Sequence, residues 1–396
     1  MWLAKDRDME ILEMPVQHAS ESVSARLLVA DDHPDIRIAL EMLFGAQGYQ
    51  VFSASDPTSV LATLQSQTFD IVLMDLNYTR DTTGGAEGLE LVSRIRSFDR
   101  TIPLLVMTGW GNVEIAVEAM RRGASDFVQK PWDNSELLSK VQEQVEYGRV
   151  LRRSQRREEE EALEAKEFQK KLLPLVVPQI TGYDIAASTK PVRFIGGDFY
   201  DIVQLSDTKT AFCIADVAGK GLPGALVMSN LQAALKPLIR EDVAPGELCG
   251  RLNRALCEIM PSNRFVSLFY GVLDSKENLL TYCNAGHNPP LLVRPDGNTG
   301  ELKSSGAILG RFCDWQYGQK SQNLSSGDIL LFFTDGVVEA CDQNDESFGE
   351  QRLLQFTREA HGCGAAARLE ILSNAVSAHC LGKFQDDATM IVLQAK

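Results

Sequence analysis

The sequence predicts two folded domains of different class. The first is a doubly wound α/β domain on a five-stranded parallel sheet; a helical linker and a layered α+β domain follow. Three observations carry this. From Arg26 to about residue 148, near-continuous apolar runs alternate with amphipathic helical patterns, and strands apolar on both faces belong to parallel sheets covered by helices. A long, highly charged helical pattern then runs to Pro174 without an earlier Gly or Pro stop. Beyond Gly182, strand-like runs dominate and helical blocks come in pairs, which marks α+β layering rather than a second βαβ domain.

In chain order, residues 1–24 read as a flexible leader, with scattered acids and no compact apolar segment of the signal-peptide kind. Residues 25–148 form the first domain. Its strands are "RLLVA", "QVFSA", "FDIVLM", "PLLVM" and "SDFVQ", and its helices start near Asp35, Thr58, Gly88, Val113 and Asn134. Residues 149–180 are the helical linker. Leu137, Val141 and Val145 give the incoming helix an apolar stripe, Gly148 reads as a joint, and "RRSQRREEEE" has almost no apolar face. A solvated connecting helix is therefore favoured over a sustained coiled coil, with a homodimer through this helix as the alternative. Residues 181–396 form the second domain. Its strands include "YDIAAST", "TAFCIADV", "FVSLFYGVLD", "NLLTYCNAG", "DILLFFTDG" and "ATMIVLQA", and its helical blocks lie near Pro223–Ile239, Pro245–Met260, Gly349 and Ala365.

Composition narrows the function classes. The 396 residues carry a formal net charge of −15, which argues against a sequence-independent grip on nucleic acid or anionic membrane. No apolar run approaches a bilayer span. The eight cysteines, Cys213, Cys249, Cys257, Cys283, Cys313, Cys341, Cys363 and Cys380, form no CxxC pair. They read as small buried hydrophobes in a reducing, cytoplasmic setting.

Polar groups stand where the first domain's strands hand over to loops: Asp31 and Asp32 in "LLVADDHPD", Asp75 in "IVLMDLNY", Thr108 in "LLVMTGWG" and Lys130 in "DFVQKPW". In a doubly wound sheet these ends gather at one edge, where ligands bind. Clustered carboxylates repel unless a cation binds, and hard oxygens suit Mg²⁺. An ammonium and a hydroxyl beside that cation stabilise phosphoryl oxygens. The pattern resembles the receiver domain of bacterial two-component response regulators, a flavodoxin-like fold. The resemblance implies Asp75 as phosphoacceptor. It also implies Mg²⁺ held by Asp31, Asp32, Asp75 and the carbonyl of Asn77, phosphoryl contacts from Thr108 and Lys130, and Phe127 as the switch aromatic. The loop "NYTRDTTGGAEG" is longer than in many relatives.

The second half holds four acidic turns: "FIGGDFYD" at Asp198, "IADVAGKG" at Asp216, "FFTDGVVE" at Asp335 and "QDDAT" at Asp386. Glycines beside them allow close approach, and at Asp198 they are expected to clear space for a hydrated cation. If the fold brings the four together, oxygen-only ligation favours Mg²⁺ or Mn²⁺ over zinc, in a two-metal site of the phosphatase kind. With "FQKKLLP", "GKGLPGALVM" and "NAGHNPPLL" in order, residues 168–396 resemble the SpoIIE/RsbU branch of the metal-dependent (PPM) serine/threonine phosphatases. The resemblance implies a layered β-sandwich and two Mn²⁺ or Mg²⁺ ions. Asp216 would bridge them, the carbonyl of Val217 would serve one, with Asp198 bound through water or directly, and Asp335 and Asp386 would complete the other's shell. Hydrolysis would then proceed by in-line attack of a metal-activated water. Arg193 is a candidate phosphate clamp or a surface arginine. His287 is read as a structural histidine, and Asp201, Asp387, Glu339 and Lys220 as motif residues outside the metal shell.

Together the halves imply a response regulator whose receiver controls a phosphatase. The implied partners are a sensor histidine kinase and a phosphorylated STAS-domain anti-sigma-factor antagonist. A non-catalytic adaptor with a phosphatase-like domain is the alternative, although such domains typically lose metal ligands. A DNA-binding regulator is disfavoured because no helix-turn-helix-sized segment remains unassigned.

Overall fold

The computed structural model describes residues 24–78, 85–109, 113–174, 176–261, 263–360 and 362–396. Residues 1–23 of the leader and 79–84 of the loop after Asp75 lie outside the described residues. The chain divides between Glu158 and Glu159 into two compact units.

In the first unit, β1 (Arg26–Ala30), β2 (Gln50–Ala54), β3 (Ile71–Asp75), β4 (Leu104–Thr108) and β5 (Asp126–Gln129) form one parallel sheet in the order β2-β1-β3-β4-β5. Helices α1 (Pro34–Gly45), α2 (Pro57–Ser66), α3 (Ala86–Phe98), α4 (Val113–Arg121) and α5 (Asn134–Lys170) alternate with the strands. Every residue of β3 and β4 is buried, and the flanking β2 and β5 are partly exposed. This is why the central strands read as unbroken apolar runs. Asp56 caps α2, accepting bonds from the Thr58 and Ser59 amides while Ser59 bonds back, a capping box that fixes where the helix starts.

Leu137, Val141 and Val145 of α5 pack with Val29, Leu73 and Leu105, as the apolar stripe requires. Gly148 is not a joint. The helix runs straight through it, and a Cβ there would stand 2.5 Å from Pro103 Cγ, so the glycine lets the helix lie close to that proline. The helix also stops before Pro174. Lys171 N bonds to Phe168 O and Leu172 N to Gln169 O, a tightened last turn consistent with proline disfavouring α geometry in the residue before it.

The second unit is a sandwich of two sheets with helices outside. One sheet has the order β13-β10-β9-β8-β7, from β7 (Phe199–Gln204), β8 (Lys209–Val217), β9 (Val266–Asp274), β10 (Leu279–Ala285) and β13 (Lys320–Asn323). The other has the order β12-β11-β14-β15-β6, from β6 (Tyr183–Lys190), β11 (Leu291–Val293), β12 (Thr299–Glu301), β14 (Ile329–Phe333) and β15 (Ala388–Ala395). Side chains alternate between faces with period two. Phe212 and Ile214 of β8 and Leu330 and Phe332 of β14 meet in the inter-sheet core, where Phe332 lies 6.3 Å from Phe212 and 5.2 Å from Phe269. On the outer faces, Cys213, Ala215 and Val217 pack with α6 (Leu222–Leu235) and α7 (Pro245–Ile259). Leu331 and Phe333 pack with α9 (Gly349–Glu359) and α10 (Ala365–His379).

The cysteine reading needs one correction. Cys213, Cys249, Cys283 and Cys380 are buried thiols as expected, but Cys257 and Cys313 form a disulfide across 56 residues. It joins the last turn of α7 to the loop after β12, a proximity with no local spacing signature. Among the described residues no helix is long and apolar enough to cross a membrane.

Candidate functional site

Both units gather acids where strands end. In the first, Lys130 Nζ lies 2.7 Å from Asp31 Oδ2 and 2.8 Å from Asp75 Oδ2, which places three strand ends at one edge. Asp31 and Asp75 are buried, as is Thr108, whose carbonyl accepts the Lys130 amide at 2.7 Å. Asp31 Oδ1 accepts the His33 amide at 2.9 Å, and Arg37 Nη1 donates to the Asp31 carbonyl at 2.6 Å. Asp32 faces the same edge, its Oδ1 2.8 Å from His33 Nδ1. The ligand atoms of Asp31, Asp32 and His33 lie within 4.8 Å of one another. His33, which sequence reasoning passed over, sits next to the acid pair and is exposed.

Burial pushes the Asp75 carboxyl up, and Lys130 offsets this only in part. For Lys130, burial alone would lower the pKa, yet Asp75 and Asp31 outweigh it and the ammonium is held above its ordinary value. Two acceptors at this edge, Asp75 Oδ1 and Asn77 Oδ1, are buried without a well-formed hydrogen bond. Unmet acceptors beside paired carboxylates are what a hard cation satisfies, so the donor set fits Mg²⁺. Phe127, on β5, is half-buried with Lys140 Nζ 5.6 Å from its ring centre.

In the second unit, Asp198 precedes β7, Asp216 lies near the end of β8, Asp335 opens the short helix α8 (Asp335–Val338) after β14, and Asp386 precedes β15. The structure gathers the four segments: Thr334, next to Asp335, bonds Asp198, Gly197 packs on the Val217 carbonyl beside Asp216, and Gly336 packs on Asp386 and Asp387. Among the described residues, no three of these acids offer ligand atoms all within 4.8 Å of one another. Burial, then Asp335, Asp386 and Asp387, push Asp216 up to about 7. Burial and Asp216 hold Asp198 well above the ordinary carboxylate value, against the two hydroxyls that bond it. Burial, Glu339 and Asp386 raise Asp335. Such a cluster holds protons unless cations neutralise it. Its donors are carboxylates, with the Val217 carbonyl facing the Gly197 turn, where a Cβ would stand 3.0 Å from it. That set fits Mg²⁺ or Mn²⁺.

Each acid is held differently. Asp198 Oδ2 accepts from Thr334 Oγ1 and Thr389 Oγ1, both at 2.7 Å. These threonines, at the end of β14 and on β15, escaped sequence reasoning; a lone Thr in a strand carries no signal. Lys220 Nζ pairs with Asp386 Oδ2 at 2.7 Å and donates to the Gln385 carbonyl at 2.7 Å. Asp387 is buried and spends both oxygens on backbone: Oδ1 accepts Val192 N at 2.8 Å and Oδ2 accepts Gly197 N at 2.7 Å. Asp201 pairs instead with Lys236, at 2.9 Å.

This changes the reading of "FIGGDFYD". A Cβ on Gly196 would stand 2.4 Å from Asp387 Oδ2, and one on Gly197 would stand 3.0 Å from the Val217 carbonyl. The glycines make room for a carboxylate and a carbonyl of the chain itself, not for a hydrated cation.

Arg193 is exposed, its Cδ 3.4 Å from where a Cβ on Gly221 would stand. A second arginine, Arg264, donates from Nη1 to the Ala218 carbonyl at 2.5 Å and fills the space beside Gly219. No motif pointed to it. His287 is buried, its Nδ1 2.8 Å from Ser267 Oγ and its amide bonded to Asn284 Oδ1. Burial holds the imidazole down to about 4, so it is neutral near pH 7 and pins the turn, as a structural histidine should.

Residues 206–396 match the family described as Stage II sporulation protein E (SpoIIE), and residues 27–142 match the response regulator receiver domain. The chain is 34% identical over 236 residues to the phosphoserine phosphatase RsbU of Bacillus subtilis (strain 168), covering 59% of this chain and 69% of RsbU. It is 31% identical over 124 residues to the transcriptional regulatory protein FixJ of Bradyrhizobium diazoefficiens, covering 31% of this chain and 58% of FixJ. The SiaA-PP2C domain of Pseudomonas aeruginosa shares the fold, with a TM-score of 0.55 at 21% identity, over 61% of this chain and 99% of that one.

Proposed function

The chain belongs to the SpoIIE/RsbU family of metal-dependent PP2C-type protein phosphatases and carries a response regulator receiver domain; on that footing we propose that phosphorylation of Asp75 controls hydrolysis of a phosphoserine or phosphothreonine at the Asp216 cluster. The observation that carries the reading is that Asp335 and Asp386 act on the buried Asp216, pushed up to about 7, and Asp216 in turn acts on the buried Asp198.

In the receiver, Asp31, Asp32, Asp75 and the Asn77 carbonyl would hold Mg²⁺. The Asp75 carboxylate attacks phosphorus of a phosphohistidine on a sensor kinase, so that a P–O bond forms as the P–N bond breaks. Lys130, already within 2.8 Å of Asp75, and Thr108 would then contact the phosphoryl oxygens. Phe127 would report the change to the domain surface, and the helix from Asn134 would carry it onward.

In the phosphatase, Asp198, Asp216, the Val217 carbonyl, Asp335 and Asp386 would hold two Mn²⁺ or Mg²⁺ ions, which when bound supply an activated water and Lewis acidity toward the phosphoryl group. The chain's own part is placement. Thr334 and Thr389 aim Asp198, Asp387 pins the turn before it, and Lys220 is close enough to balance Asp386 as the site loads. Arg193 and Arg264 are the nearby guanidiniums able to receive phosphate oxygens.

The substrate is proposed to be a phosphorylated STAS-domain anti-sigma-factor antagonist. One observation favours the adaptor alternative: the Lys220 ammonium already neutralises Asp386. A Mn²⁺-dependent p-nitrophenyl phosphate assay decides between them. Turnover by wild type that Asp216→Asn abolishes supports the enzyme; equal rates for the two, or none with wild type, refute it. Dephosphorylation of purified phospho-STAS proteins, with and without a small phosphodonor, then tests the substrate and the control.

A further inference from the structure

We infer that Gln169 is a positioning residue of the phosphatase site: its side-chain amide fixes the glycine turn that delivers Asp198, and so ties the metal site to one register of the linker helix. The inference rests on the metal-site reading above.

Gln169 stands in the last turn of α5. Its Nε2 donates to the Gly196 carbonyl at 2.7 Å, and its Oε1 accepts the Gly196 amide at 3.0 Å. Both bonds go to one residue, which needs a donor and an acceptor side by side; a primary amide offers that arrangement and a carboxylate or an ammonium does not. Gly196 leads directly to the site. Its neighbour Gly197 donates to Asp387 Oδ2 at 2.7 Å, and the next residue, Asp198, is held by Thr334 and Thr389. The turn is thus gripped by Asp387 beside β15, by contact with the Val217 carbonyl of β8, and by Gln169. The first two come from segments that supply proposed metal ligands. Helix α5 supplies none of the proposed ligands, and the amide clamp is a contact through which that helix reaches the ligand turn.

The clamp also reads position. Just beyond it, Leu172 and Leu173 pack against the unit's apolar core, while Phe168 on the preceding residue is exposed. A slide of the helix by one residue moves the amide about 1.5 Å along the axis, enough to break bonds of 2.7 and 3.0 Å. Asp198 is then placed when the helix end sits in the observed register and is released when it does not. Supporting groups of this kind typically change metal affinity or activity by about 10- to 100-fold when removed.

The test uses the full chain and Mn²⁺ itself. Gln169→Met keeps the length and removes both polar atoms. Gln169→Glu keeps an acceptor for the Gly196 amide but sets a second oxygen against its carbonyl. Glu167→Gln, on an exposed ion pair of the same turn, controls for disturbance of the helix. Three readouts are taken: Mn²⁺ binding by the loss of the free-ion electron paramagnetic resonance signal, hydrogen exchange at the Gly196 amide without metal, and turnover of p-nitrophenyl phosphate against Mn²⁺ concentration. The expected result is half-saturation at about tenfold higher Mn²⁺ for Gln169→Met, a smaller shift for Gln169→Glu, faster exchange at Gly196 in both, and wild-type behaviour for Glu167→Gln. Turnover should recover at saturating Mn²⁺, which a merely unfolded fraction would not do. Wild-type Mn²⁺ binding and Gly196 protection in both Gln169 variants overturn the inference. Failure of wild type to bind Mn²⁺ or turn over substrate overturns the metal-site reading instead.

Discussion

Removing one charge from the phosphatase cluster should stabilise the metal-free protein. Asp216→Asn is the perturbation. The folded-state carboxyl stands at about 7 against an ordinary 3.8, raised first by burial and then by Asp335, Asp386 and Asp387. Between those values the native state binds more protons than the unfolded chain, so stability falls as pH rises. The stabilising contribution is complete below about pH 4 and is lost as pH passes through about 7. At about 1.4 kcal/mol per pH unit, the loss by pH 8 is about 4 kcal/mol. Asparagine keeps the shape and carries no charge, so the variant should gain up to that amount at pH 8 and nothing at pH 4. The assay is urea denaturation of chelator-treated wild type and variant from pH 5 to 8. Saturating Mn²⁺ should reverse the order at pH 8, because ligand binding stabilises the state that binds it and the variant has lost a ligand. A variant less stable than wild type at pH 8 without metal, or one that keeps the wild-type pH slope, would refute the repulsion on which the metal site is argued.

Three further outcomes are expected. Lys130→Ala leaves the buried Asp31 and Asp75 facing each other and should cost about 3 kcal/mol, measured by denaturation of the receiver transition. It should also abolish labelling by a small phosphodonor, and unchanged stability would mean the ion pair contributes nothing. Thr389→Val removes one hydrogen bond to the buried Asp198 and should cost about 1 kcal/mol while weakening Mn²⁺ binding; wild-type values for both would remove the hydroxyls from the site. Reduction of the Cys257–Cys313 bond, whose cysteines lie 56 residues apart, should lower the melting temperature by the equivalent of up to about 4 kcal/mol. The Cys257→Ser/Cys313→Ser double variant should melt low and ignore the reductant, and an equal response from both proteins would exclude the bond as the cause.

Much of the fold is legible in the sequence. The five parallel strands follow from runs such as "FDIVLM", because a strand buried on both faces must be apolar throughout. The sandwich strands follow from alternation, as in β14, where Leu330 and Phe332 face one layer and Leu331 and Phe333 the other. The acids could be named because each ends a strand or opens one, and a strand end is a local feature. Their company could not. Asp198 is held by hydroxyls 136 and 191 residues away, and its turn by an amide 27 residues upstream. The room beside Gly196 is filled by Asp387, 190 residues on from Gly197. Gly148 looked like a hinge because it breaks helix propensity, and only the placement of Pro103 explains it.

What the sequence settled alone was the class of each domain, the order of its elements and the kind of donor each strand end offers, since backbone preference and burial pattern act within a few residues. Tertiary structure decided which donors meet, which neighbours aim them, and which two cysteines join. Those depend on where chain segments cross, and hydrogen bonds, ion pairs and disulfides act over a few ångströms of space however many residues lie between.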